Sequence, residues 1–355
     1  MPEPTTPLKG VFVTDFGAVG DNSHDDGPAI REAHEYCATT KPGRYIPLHF
    51  PTGRYLIASG SGIPLKRDMH WTGDGHIATE TDTKTQIRFN SDHLFKFDAG
   101  TNADWVAISG ICFDGRNQAK SFLEPADITS TSSRIIYHSI FTHCGWKNFD
   151  TVFDGRLSGV RIQNNFLQNN KRGFRASGAD NIVEDNYMSG SNWTSGGNSD
   201  PGGGPETFAM ELGSFRLSRV NKNYITGWPQ QHLKISGSVD GTIFHQNWFD
   251  ITDQCGIYAT NTHGGIFYGN TFNRCMLGQD PSKPASSGTT DPDHDAFIRL
   301  KNSHTMLFAL NEFGFLDNGV PAGAPIKTLH HTSCTGIQFT LNQFLPPYTE
   351  LIDAD

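Results

Sequence analysis

The chain has 355 residues, of which 36% are hydrophobic and 18% charged, with 38 glycines and 25 phenylalanines. This turn-rich, aromatic-rich profile is that of a soluble folded chain rather than a disordered or membrane one. The net charge of −9 and the lack of any Lys/Arg-rich run argue against a nucleic-acid partner, and no apolar stretch approaches the ~20 residues of a transmembrane helix.

The N-terminal MPEPTTPLKG has no apolar signal-peptide core. The stretch VTDFGAVGDNSHDDGPAIREAHEYC follows at residues 13–37, with Asp15, Asp21, Asp25, Asp26 and His24 crowded ahead of a helical pattern. Asp25 or Asp26 suits the N-cap, Pro28 the first turn, and Ala29, Ile30, Ala33 and Cys37 make an apolar face. The cluster therefore reads as architecture, a helix covering one end of the core, rather than as a catalytic or metal site.

Beyond residue 40 the helical period disappears and a repeat takes over. VRIQNNF, IVEDNYM, RVNKNYI, IFHQNWF, IFYGNTF, LFALNEF and QFTLNQF each read as a short strand, an asparagine, any residue and a large apolar residue. The asparagines are Asn164, Asn186, Asn223, Asn247, Asn270, Asn311 and Asn342, and VAISGIC and IIYHSIF fit with Gly110 and Ser139 in the same slot. A repeat of roughly 20–25 residues with several short strands predicts a parallel β-solenoid, in which stacked amides bond from layer to layer. Phe166, Phe249, Phe272, Phe313 and Phe344 are expected to stack in the core. The six cysteines (Cys37, Cys112, Cys144, Cys255, Cys275, Cys334) carry no CxxC and read as buried thiols, although Cys255 and Cys275 suit adjacent layers.

DFGAVGDNSHDDGPAIREAHEYC together with HFPTGRYLI at 49–57 resembles the N-terminal signature of the pectate-lyase-like superfamily. The resemblance implies an all-β, right-handed single-stranded parallel β-helix of about nine or more rungs with an N-terminal capping helix. Residues 1–355 would form one domain, with the cap and first strands at 1–60 and regular rungs at 100–345. It also implies a carbohydrate substrate and a site of action that is extracellular, periplasmic or on a virion. Members include polysaccharide lyases, polygalacturonase-like hydrolases, mannuronan C5-epimerases and phage tailspike depolymerases. The hydrolase elements have only faint echoes here, NTHGG at 261–265 and IRLK at 298–301, and the epimerase motif is missing.

A second strand in each layer reads FDTVFDG, RGFRASG, TFAMELG, QHLKISG, CGIYATN, DAFIRLK or PIKTLHH. Alternation turns Asp154, Arg175, Glu211, Lys234, Tyr258, Arg299 and Lys327 outward as a ladder. Long Gly/Pro/Ser insertions at 190–206, 278–295 and 317–325 precede these strands and suit the walls of a cleft. Two carboxylates fit glycoside hydrolysis, whereas a cation with a Lys, Tyr or His base fits β-elimination on a uronate. Glu211, Lys234, Tyr258 and Asp295 are the expected catalytic residues. Asp154, Arg175, Glu206, His232, Arg299, Trp193 and Trp228 are expected to bind substrate, Trp146 being a further stacking candidate. The excess of cations along the ladder favours an acidic polysaccharide. The chain then cleaves it as a lyase or hydrolase, with a uronate epimerase and a non-catalytic carbohydrate-binding or receptor-binding module as alternatives. No resident metal site is expected, and calcium at Asp291, Asp293 and Asp295 is the one candidate cofactor. His330 and His331 read as a late turn, and the assembly as a monomer or a side-by-side homotrimer.

Overall fold

Short strands recur in sets of three, and each set pairs in parallel with the next. The computed structural model describes residues 10–41, 43–75, 84–98, 102–116, 119–125, 134–190, 207–228, 231–252, 255–275, 296–314, 327–345 and 352–354. Two sheets of twelve strands and one of thirteen run the length of the chain, and every strand pair is parallel. Apart from His93–Phe97 with Ala103–Asp104 and Ser121–Leu123 with Ile135–Tyr137, which share the third sheet, consecutive strands lie in different sheets, and the chain winds as a right-handed parallel β-helix. In one complete turn, Arg161–Gln163 lies in the first sheet, Phe166–Asn170 in the second and Arg172–Ala179 in the third. They pair with Ile182–Glu184, Tyr187–Gly190 and Phe208–Arg216 of the following turn.

The corner between the first and second sheets takes two residues, one left-handed and one buried. Asn164 has φ +55°, and the buried residue after it is Asn165. The amide ladder therefore consists of Asn165, Asn186, Asn223, Asn247, Asn270, Asn311 and Asn342. From Asn186 onward each Oδ1 accepts from the backbone N–H and the Nδ2 of the asparagine one rung earlier, for instance Asn223 onto Asn247 at 3.1 and 2.9 Å, while Asn165 Oδ1 accepts from Cys144 N–H. The expected Asn164 is one residue out of register, because in Gln163-Asn164-Asn165-Phe166 either asparagine fits the sequence pattern and only burial separates them. Gly110 occupies the left-handed position (φ +69°) rather than the ladder slot. Ser139 belongs to a different corner, between the third and first sheets, where its Oγ accepts from Val106 N–H at 2.9 Å. Asn181, Ser218 and Thr242 continue that second ladder. Each ladder satisfies backbone donors that the corner withdraws from water.

The same shift moves Phe166 out of the core. Leu167 is buried in its place, and Phe166 stacks instead on Tyr187 at 4.8 Å, with Tyr224 and Trp248 continuing the row on the outer face. The interior row is Phe249, Phe272, Phe313 and Phe344, with ring centroids 4.9, 4.8 and 5.7 Å apart. Five of the six thiols are buried and Cys334 is partly exposed.

The acidic N-terminal cluster is architectural. Helix α1 (Gly27–Thr39) follows Asp26, whose carboxylate accepts from the backbone N–H of Val19, Gly20 and Leu56. Asp25 accepts from Gly27 and Ala58 N–H. Both side chains thus fasten the start of the helix to Gly53–Ile57 of the second sheet. Ile30, Ala33, His34 and Cys37 face the open end of the coil, where an uncapped solenoid would expose its core. Trp71 Nε1–H donates to Tyr45 Oη at 2.9 Å, and Tyr45 bonds His34 Nδ1 at 2.8 Å. His34 Nε2 meets Pro64 O at 3.0 Å, so the carbonyl requires the proton on Nε2 and leaves Nδ1 to accept from the phenol.

Candidate active site

The third sheet gathers the chemistry. Thr151–Ser158, Arg172–Ala179, Phe208–Arg216, Gln231–Ile235, Ile257–Thr260, Ala296–Lys301 and Lys327–Thr332 pair so that one outward residue of each falls in a single column. The column runs Asp154, Arg175, Glu211, Lys234, Tyr258, Arg299 and His330. Flanking inward residues such as Phe174, Met210, Leu233, Ile257 and Ile298 are buried, and this period-2 alternation orients the column outward.

Two expectations about its far end are corrected. Lys327 pairs with Ala296, three residues short of the column, and the position opposite Arg299 belongs to His330. His330 and His331 therefore lie in a strand, not a turn. Alternation within PIKTLHH does not fix which residue joins the column, because register follows the rung below rather than local sequence.

Within the column the first four groups form one network. Arg175 Nε donates to Glu211 Oε2 at 3.1 Å, and its Nη1 lies 3.4 Å from Asp154 Oδ2. Lys234 Nζ is 3.7 Å from Glu211 Oε1. Asp154, Glu211 and Lys234 are mostly shielded, whereas the Arg175 side chain is 36% exposed. The two carboxylates differ. Asp154 Oδ1 is buried and makes no hydrogen bond among the described residues. Burial raises the Asp154 pKa above its ordinary value despite the Arg175 guanidinium, which pulls the other way. Glu211, by contrast, accepts from one cation and lies beside a second. Asp154 and Glu211 sit two rungs apart, about 9.6 Å along the axis at ~4.8 Å per rung.

Farther along, Arg299 is 4% exposed and donates from Nη2 to Thr332 Oγ1 at 3.1 Å. Tyr258 stands in register between Lys234 and Arg299. Three other expected residues do not reach this surface. His232 is fully buried with its ring 6.0 Å from that of Phe249. Trp228 and Trp146 are interior, so neither offers a ring face to a sugar. Here packing outweighs their proximity to loops in sequence. Glu206, Asp295 and Trp193, with Asp291, Asp293 and the long insertions, lie outside the described residues. Among the described residues no cluster of three or more His, Cys, Asp or Glu side chains has metal-binding geometry, and no helix is long and apolar enough to cross a membrane.

Comparison with known proteins narrows the setting. Residues 11–199 match the family described as rhamnogalacturonase A/epimerase, pectate lyase-like. Among the curated proteins none matches the chain. A DFA-IIIase from Arthrobacter chlorophenolicus A6 shares the fold at 13% identity and TM-score 0.68, covering 98% of this chain and 92% of its own. The mannuronan C-5 epimerase AlgE4 A-module of Azotobacter vinelandii aligns at 11% identity and TM-score 0.57, over 97% of this chain and 100% of its own. PfbA, a surface adhesin of Streptococcus pneumoniae, aligns at 13% identity and TM-score 0.51, over 98% and 91%. At such identities the likeness is one of fold.

Proposed function

The chain belongs to the rhamnogalacturonase A/epimerase, pectate lyase-like family, and on that premise we propose that it cleaves an acidic polysaccharide lying along the third-sheet column. The observation that carries this reading is the pair of unlike carboxylates, Asp154 and Glu211, on either side of Arg175. One Arg175 guanidinium contacts both and draws the carboxyl groups closer than their rung separation of about 9.6 Å, towards the ~6.5–9.5 Å at which the inverting form of glycoside hydrolysis leaves room for a water. Asp154, whose burial favours the protonated form, donates its proton to the departing glycosidic oxygen. Glu211 takes a proton from the attacking water as the new C–O bond forms at the opposite face of the sugar. Arg175 and Lys234 hold Glu211 as the base and compensate the substrate's own carboxylate. Tyr258 and Arg299 bind the following sugar units.

A second reading rests on Tyr258. A phenol in register between Lys234 and Arg299 provides a proton acceptor flanked by cations, the parts needed to abstract the α-proton of a uronate. β-Elimination would follow, or epimerisation without chain cleavage.

The test is a panel of acidic and neutral polysaccharides, read both for new reducing ends and for ultraviolet absorbance of an unsaturated uronate. Hydrolysis predicts reducing ends without absorbance, lost in Asp154→Asn and Glu211→Gln and retained in Tyr258→Phe. Absorbance that vanishes in Tyr258→Phe would replace the hydrolase with a lyase.

A further inference from the structure

A second surface feature lies two rungs before Asp154, at the corner joining the third and first sheets. That corner uses one left-handed residue per rung: Asp68 (φ +57°), Trp105 (φ +58°), His138 (φ +45°) and Gly159 (φ +66°). Backbone bonds step between them, from Asp68 N–H to Asp104 O, Trp105 N–H to Tyr137 O and His138 N–H to Ser158 O. Gly159 directly follows Thr151–Ser158, the strand that bears Asp154.

Trp105 is an unusual occupant of this position. Bulky residues rarely adopt positive φ, and fully buried tryptophans such as Trp71 and Trp146 show where this fold places an indole for packing. Trp105 is instead 53% exposed. Its ring is backed by that of His138, 4.9 Å away at an interplanar angle of 22°, and Tyr137 stacks on His138 at 5.9 Å. Asp104 bonds His138 Nδ1 at 3.1 Å, which fixes the imidazole. The space over Gly159 admits that ring, since a Cβ there would come within 3.2 Å of His138 Cδ2. The result is an indole held flat by its neighbours and open to solvent.

The next residue up the same corner, Asp68, leads into a groove of about 410 Å³ between α1 and the first rungs, whose lining includes Arg44, Lys66, Arg67 and Asp68. Lys66 is engaged by Asp98 at 3.1 Å and Glu35 at 3.8 Å. Arg44 and Arg67 are exposed and make no ion pair among the described residues. An aromatic platform one corner step from Asp68, with two guanidiniums in the groove that Asp68 lines, matches one ligand class: a pyranose chain that carries carboxylates. The apolar CH face of a sugar stacks on the indole, and a carboxylate farther along the chain takes a bidentate guanidinium.

We propose that Trp105, backed by His138, together with Arg67 and Arg44 of the neighbouring groove, is a non-catalytic binding site for acidic glycan chains, separate from the Asp154–Arg175–Glu211 network. The inference rests on the carbohydrate reading of the fold and extends it to a second surface.

The test is native affinity electrophoresis of the full chain in gels containing polygalacturonate, alginate or, as the neutral control, dextran. Wild type is retarded by at least one acidic polymer and not by dextran. Trp105→Gly, which suits the positive φ and so keeps the corner, weakens that retention about fivefold to tenfold. Trp105→Phe retains most of it, and Arg67→Gln weakens it. Equal retardation of wild type and Trp105→Gly overturns the site, as does failure of wild type to be retarded by either acidic polymer. Equal retardation in dextran overturns the acidic assignment. Retention that depends on Trp105 in a protein that cleaves none of these polymers upholds this site while sinking the cleavage reading. Cleavage with unchanged retention in Trp105→Gly does the reverse.

Discussion

Asp154 and Glu211 share one guanidinium: Arg175 Nη1 lies 3.4 Å from Asp154 Oδ2 while its Nε donates to Glu211 Oε2 at 3.1 Å. One arginine thus connects a shielded carboxyl group, one oxygen of which makes no hydrogen bond among the described residues, to a carboxylate beside a second cation, Lys234. On the hydrolytic reading proposed above, the pair divides into an acid and a base because their surroundings differ, not their residue types.

If Asp154 and Glu211 act as proposed, loss of either carboxyl removes a proton-transfer step. Asp154→Asn and Glu211→Gln are each expected to lower kcat by about 10²–10⁴-fold with little change in KM. Initial rates of reducing-end release on whichever polymer the panel identifies provide the measurement. A fall confined to KM would reassign both residues to substrate binding.

The raised pKa of Asp154 also leaves a mark on stability. Its folded pKa exceeds the ordinary 3.8, so between those two values the native state binds more protons than the unfolded chain. The contribution is therefore complete below the unfolded pKa and is lost as pH rises through the folded one. In Asp154→Asn that dependence disappears, and the Tm of the variant relative to wild type should climb as pH increases from 4 towards 7. Thermal melts across this range decide the point, and a constant or shrinking difference would contradict it.

His34 has the opposite sign. Burial depresses its pKa from 6.5 to about 4, and its bonds to Tyr45 and Pro64 are those of a neutral ring. Unfolded chains take up the proton first, so stability is present above pH ~6.5 and lost as pH falls towards 4, by about 3 kcal/mol in total. Urea midpoints of wild type and His34→Gln over this window should converge at low pH. Parallel curves would show that the capping helix does not depend on the neutral imidazole.

The amide ladder should be most sensitive in its middle. Removing the Asn247 side chain strands Asn223 N–H and Nδ2, both of which donate to Asn247 Oδ1. Asn247→Ala is therefore expected to cost about 3 kcal/mol. Asn342, at the last and less buried step, should cost about 1 kcal/mol. Equal denaturation midpoints for the two variants would mean that the ladder follows the fold without stabilising it.

The architecture was legible in the chain because each rung repeats the same local demands: a short apolar strand, a tight corner and a buried amide. These act within a few residues, so periodicity alone identifies a coil of parallel strands and an amphipathic helix to close it. Most of the outward column could also be read, since alternation along Thr151–Ser158 or Gln231–Ile235 needs no knowledge of distant contacts. Tertiary structure decided what local pattern leaves degenerate. Asn164 and Asn165 are chemically identical, and only burial chooses between them. His330 rather than Lys327 completes the column because pairing with Ala296–Lys301 sets the register. Trp228 and His232 lie beside the column in sequence yet pack inside. The Arg175 bridge, the shielding of Asp154 and the exposure of Trp105 depend on residues dozens of positions apart being stacked about 4.8 Å from one another. Such proximity is a property of the coil, not of any segment that composes it.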